Sequence, residues 1–92
     1  MTSVSHHAMQ RALERFGEWL TPEDAADLVA RITRGEAFPI RGGRDGVRLW
    51  LVWWPRAMRT IPIAYCARQD LIVTVLPEAC AQLKRTAEGR GV

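Results

Sequence analysis

His7, Arg11, Glu14 and Arg15 are the first residues of this chain whose types and spacing suit chemistry. Four-residue spacing sets Arg11 one helical turn beyond His7, and Glu14 follows about a turn later on the same side. Imidazole exchanges protons near neutral pH, so His7 is a candidate acid or base with a cation and a carboxylate beside it. The ridge falls opposite the apolar stripe Ala8, Ala12 and Phe16, which places it toward solvent or at an edge of a helix layer. A solvated helix face is the alternative reading.

A second group lies in Val47–Trp54, where Arg48, Trp50, Val52 and Trp54 alternate with Val47, Leu49, Leu51 and Trp53. Strict alternation is the mark of a strand with two distinct faces. The wholly apolar set is expected to meet helices, leaving Arg48, Trp50 and Trp54 as an aromatic and cationic surface. Rings and guanidinium planes on one surface suit the unstacked bases of single-stranded RNA. Such a surface equally suits a host protein, or a second copy of the chain paired across a two-fold axis to form a homodimer. Burial of Trp50 and Trp54 in a core is the competing expectation.

The charge is unevenly placed. Residues 1–36 carry four Arg against six acidic residues, a net −2, while residues 37–68 carry Arg41, Arg44, Arg48, Arg56, Arg59 and Arg68 against Asp45 alone, a net +5. Lys84 is the single lysine of the chain. Guanidinium grips phosphate bidentately and stacks on bases, so Arg44, Arg56 and Arg59 join Arg11 as candidate nucleic-acid or partner contacts. Arginine-rich codon usage and a solvated sheet edge account for the same excess. No phosphate loop or nucleophile elbow is present, since Gly42-Gly43 does not lead into a helix. No metal or cofactor is expected: His6 and His7 are adjacent without a third ligand at a suitable spacing, and Cys66 and Cys80 form no zinc pattern. Both cysteines are expected as free, buried thiols.

These residues need a scaffold, and 92 residues organise one core, so residues 1–92 read as a single domain. Apolar periodicity predicts a helix over Val4–Phe16 ending at Gly17, and a second opened by Thr21 as N-cap with Pro22 behind it and ended by Gly35. The period then changes to two. Strands are predicted over Ala37–Arg41, Val47–Trp54, Ile61–Cys66 and Leu71–Leu76, with Pro62 pushing the third outward or marking a bulge. Pro77 opens a final short helix with Ala79, Cys80, Leu83 and Ala87 as its stripe. The expected fold is α+β: two N-terminal helices on one face of a three- to four-stranded antiparallel sheet, with a short C-terminal helix. No apolar run reaches the roughly 20 residues of a membrane span, and no signal peptide is evident, which points to the cytoplasm.

Three stretches carry a family resemblance: His7-Ala8-Met9-Gln10-Arg11-Ala12-Leu13-Glu14-Arg15-Phe16-Gly17, the capped segment Leu20-Thr21-Pro22-Glu23-Asp24 through Ile32 and Gly35, and Leu71-Ile72-Val73-Thr74-Val75-Leu76-Pro77. Together they resemble small phage and mobile-element domains akin to the RelE-like toxins of the barnase–colicin–RelE group. The resemblance implies a ribonuclease-like module that cleaves RNA by 2′-hydroxyl attack without metal, arginines stabilising the pentavalent phosphate. It assigns His7 as acid or base, Arg11 and Arg48 as phosphate ligands, and Thr74 as a polar group near the scissile phosphate. The sequence departs from that group in lacking a second well-placed histidine or a strand lysine, and Trp50 and Trp54 belong to no pattern of it. A non-catalytic relative that binds and inhibits a host enzyme or defence complex is the other function it implies.

Overall fold

The computed structural model describes residues 2–77. They form β1 (Ser3–Val4), α1 (His6–Phe16), α2 (Pro22–Thr33), β2 (Phe38–Ile40), β3 (Val47–Trp54), β4 (Arg59–Cys66) and β5 (Leu71–Val75), with a 3-10 turn at Pro55–Ala57. The class is α+β, as expected, but the sheet has five strands in the order β1-β5-β4-β3-β2 and is mixed. Strands β2 to β5 run antiparallel to their neighbours, whereas β1 pairs with β5 in parallel. A two-residue strand is too short to show alternation, which is why the sequence merges it into the first helix. The expected C-terminal helix and Cys80 lie outside the described residues.

Local chemistry fixes the helix ends. Ser5 stays extended, accepts from the Ala8 amide at 2.9 Å and donates to the Val73 carbonyl at 2.6 Å, so one hydroxyl both caps α1 and ties it to β5. The first helix therefore starts at His6, two residues later than its apolar pattern suggests. Gly17 takes the left-handed conformation that closes α1. Thr21 caps α2 in a reciprocal box with Asp24, as the Thr-Pro-Glu-Asp run predicts.

The Val73 carbonyl is available because β5 carries a bulge. Ala64 pairs with Thr74 and Tyr65 with Ile72, leaving Val73 unpaired. Pro62, expected to displace or bulge β4, is instead fully buried within a straight stretch of the central strand. Its carbonyl accepts from the Leu76 amide at 2.9 Å, so its nitrogen faces the same side, beyond the end of β5. The missing N–H forgoes only the reciprocal bond to the Leu76 carbonyl, one residue past the end of β5.

The helices lie on the face opposite to the one expected. Directly paired residues share a face, so Trp50, Val52 and Trp54 line up with Ile63, Ile61 and Arg59 of β4, and Ile63 and Tyr65 line up with Val75 and Ile72 of β5. This set packs with Ala8, Ala12, Leu20, Ala25 and Leu28 in one core. The reason lies in the sum across strands rather than in β3 alone. The other face pairs Leu49, Leu51 and Val47 with the small Ala64, Pro62 and Cys66, whereas the tryptophan face meets Ile61, Ile63, Ile72 and Val75. The larger apolar area goes inside, and alanines on both helices make room for indoles. Trp54 is 1% exposed, so the surface expected to carry a partner or a second copy is the interior of the domain. Among the described residues no helix is long and apolar enough to cross a membrane.

Candidate nucleic-acid interface

One end of the sheet gathers what the sequence scatters. Val47, Cys66, Leu71 and Ser3 are mutually registered, so β3 and β5 start, and β4 stops, at the same end. Ile40 pairs with Leu49, which brings the exit of β2 and the 41–46 loop there as well. Arg41 and Arg44 in the loop, Arg48 at the start of β3 and Arg68 in the β4–β5 turn all project from this end, and all four are exposed. None of their side chains has an ion pair or hydrogen bond among the described residues. Neighbouring strands lie about 4.8 Å apart, so from β2 to β5 the cluster spans about 14 Å.

The loop is held by its own sequence. Asp45 and Gly46 both take positive φ, and the Val47 amide donates to the Arg44 carbonyl at 3.0 Å, a primed turn of the kind Asp-Gly favours. Gly43 lies flat against β3: a Cβ there would meet the Val47 carbonyl oxygen at 2.0 Å. The folded loop encloses a recess of about 420 Å³ lined by Pro39, Ile40, Gly43, Arg44, Gly46, Val47, Arg48 and Leu49. Its lining combines aliphatic residues, two glycines and two arginines, and no acidic residue is among them.

Two acids lie at this end: Asp45, exposed in the loop's own turn, and Asp70, which is already engaged. Asp70 accepts from the Tyr65 hydroxyl at 2.7 Å and from the Thr2 hydroxyl at 3.0 Å. Those bonds, Tyr65 first, hold its carboxyl below the ordinary aspartate value. Burial, and then the bond to Asp70, push the Tyr65 phenol up to about 12. Tyr65 pairs directly with Arg48, so this neutral donor sits beside the guanidinium without competing for it.

The other sequence-predicted residues fall elsewhere. Arg56 donates to Asp24 at 2.8 Å, and Arg59 stands 5.4 Å above the Phe16 ring, both at the β3–β4 hairpin end. Burial raises the Asp24 carboxyl, but the Thr21 amide and Arg56 outweigh it, and the net shift is downward. Arg11 is bonded to Glu14 on the exposed ridge of α1, where His7 is also exposed. Trp50 is half-buried against the core and Trp54 is within it. Thr74 pairs with Ala64 and so points to the face opposite Arg48. No hydrogen bond joins His7, Arg48 and Thr74 among the described residues, and Arg48 and Thr74 lie on opposite faces of the sheet. Sequence reasoning passed over Arg41, Arg68 and Gly43 as site residues. The available signal was their position next to turns that register at one sheet end.

No protein-family model, curated protein or solved structure matches this chain.

Proposed function

We propose that this chain is an RNA-targeting module that engages the phosphate backbone with its arginine end. The observation that carries the reading is the set of four exposed arginines, Arg41, Arg44, Arg48 and Arg68, without internal partners and grouped at one sheet end. A guanidinium kept unpaired beside others of its sign retains its full attraction for a polyanion. The resemblance of the His7–Gly17 and Leu71–Pro77 stretches to RelE-like domains favours RNA among polyanions. Binding rather than cleavage is the activity assigned, because Thr74 and Arg48 lie on opposite faces of the sheet.

The test is fluorescence anisotropy with a labelled single-stranded RNA across a salt series. Each arginine that neutralises a phosphate contributes about 0.7 to the slope of log affinity against log salt for a single strand. Four contacts therefore give a slope near −2.8, on the order of three in magnitude. Alanine at each of the four should reduce it stepwise. A slope that ignores these substitutions removes the reading.

A second reading rests on a different surface. On the face away from the helices, Phe38 is 59% exposed beside Leu51, and Trp53 is 40% exposed beside Thr60. Aromatic residues on an apolar sheet face suit a protein partner, and an inhibitor of a host enzyme or defence complex would use it. Trp53→Glu should abolish such a complex and leave RNA affinity intact.

A further inference from the structure

The recess beside the arginines has a composition that phosphate binding alone does not require. A backbone contact needs only guanidinium groups on an open surface. Here Pro39, Ile40, Val47 and Leu49 add aliphatic walls to Arg44 and Arg48, and two glycines leave the floor open to close backbone approach. The volume of about 420 Å³ lies within the range of pockets that enclose small molecules. Gly43 cannot bear a side chain without displacing β3, so the shape of this hollow is set by the packing of the loop.

From this we infer that the recess receives one unstacked nucleotide, with its phosphate on Arg44 and its base against Ile40 and Leu49, which share one face of the sheet. The inference rests on the arginine end being the RNA-binding surface, and it adds that the strand is read single, with one base turned out of the stack. A base paired in a duplex is stacked on both faces and cannot enter a hollow of this size without unpairing. No aromatic side chain lines the recess, so the base is held by apolar contact, and discrimination among bases is correspondingly weak. The Arg44 guanidinium holds the phosphate, and the primed turn at Asp45-Gly46 fixes the Arg44 backbone beside β3.

Isothermal titration and amide chemical-shift mapping with uridine 5′-monophosphate, adenosine 5′-monophosphate and inorganic phosphate test this directly. Both nucleotides are expected to bind at least about tenfold more tightly than inorganic phosphate, since burying the apolar part of a base contributes more than 1 kcal/mol. The amides of Gly43, Gly46 and Val47 should shift with the nucleotides. Single-stranded RNA should bind at least about tenfold better than a duplex of the same sequence, by the unpairing cost of a few kcal/mol. Ile40→Ala should weaken nucleotide binding and leave the salt slope with RNA unchanged, whereas Arg44→Ala should reduce both.

Equal affinity for nucleotide and inorganic phosphate, or for single strand and duplex, overturns the inference. If the arginine variants still weaken RNA binding in that case, the arginine end remains the RNA surface and only the nucleotide pocket falls. If they do not, the RNA reading falls first. Nucleotide against phosphate and single strand against duplex are both compared on the unmodified chain, so the fate of the pocket does not depend on whether a variant folds.

Discussion

The two ends of the sheet carry two and four arginines and use them oppositely. At the β3–β4 hairpin end, Arg56 is paired with Asp24 and Arg59 lies over Phe16, so both cations hold helices to sheet. At the other end, Arg41, Arg44, Arg48 and Arg68 reach into solvent with Asp45 the one acid in their loop, while Asp70 is bound by a phenol and a hydroxyl instead. A count of positive residues cannot distinguish these situations. Internal partners decide which charges are available to another molecule, and here they leave one end of the domain basic and the other neutralised.

The largest effect expected from this contrast is on RNA affinity. Replacing Arg41, Arg44, Arg48 and Arg68 together with alanine should lower it by on the order of a hundredfold or more at low salt, since each lost charge-assisted contact costs upward of about 1 kcal/mol. Circular dichroism and thermal melting should show the fold intact. The matching double variant Arg56→Ala/Arg59→Ala should do the reverse. Its RNA affinity should stay within about twofold of the parent, and stability should fall by about 1 kcal/mol in a urea titration, the usual scale for an exposed ion pair plus a cation–π contact. Equal losses of affinity in both variants would erase the distinction between the ends.

Smaller but cleaner is the titration of Tyr65, the single tyrosine of the chain. A phenol whose folded value is raised to about 12 favours its protonated form in the native state. It therefore contributes stability in full below about pH 10, its unfolded value, and loses that contribution as the pH climbs toward 12. Ultraviolet absorbance should show a midpoint well above 10, moving down in Asp70→Asn. The partner group acts in the other direction: Asp70 is depressed, so its stabilisation is present above about pH 4 and fades as acid protonates the carboxylate. The smallest effect belongs to the neutralised end, where Thr21→Ala should cost about 1 kcal/mol in a urea titration by removing the cap of α2.

What the sequence made legible follows from how local each feature is. The bounds of β3 and the cap of α2 were readable because alternation and Thr-Pro-Glu-Asp act over a few residues. The identity of the buried face was not, since it depends on Ile61, Ile63, Ile72 and Val75 as much as on the tryptophans beside them. Reading β3 alone assigned the helices to the face without arginine. Arg48, however, stands at the end of the strand, where it can remain exposed while Trp50, Val52 and Trp54 are covered. The candidate site was legible in kind, as an arginine excess between residues 37 and 68, but not in place. Arg56 and Arg59 are as basic as Arg44 and Arg48, and nothing near them in sequence reveals that Asp24 and Phe16 engage them.

The short parallel strand at the edge has a consequence for how the chain reaches this state. Thr2 bonds to Asp70 and Ser5 to Val73, each across 68 positions, so seating β1 closes a ring through almost the whole described chain. The entropy of such closure is lost before its contacts form, and non-local pairing of this kind slows folding. Until it happens, β5 is a bare margin, rich in Ile and Val, that offers its hydrogen bonds to any extended segment nearby. The first few residues thus act as a selvedge, finishing a border that would otherwise unravel into association between molecules. Protein detached from them should keep its arginine end and sediment as larger species than the parent.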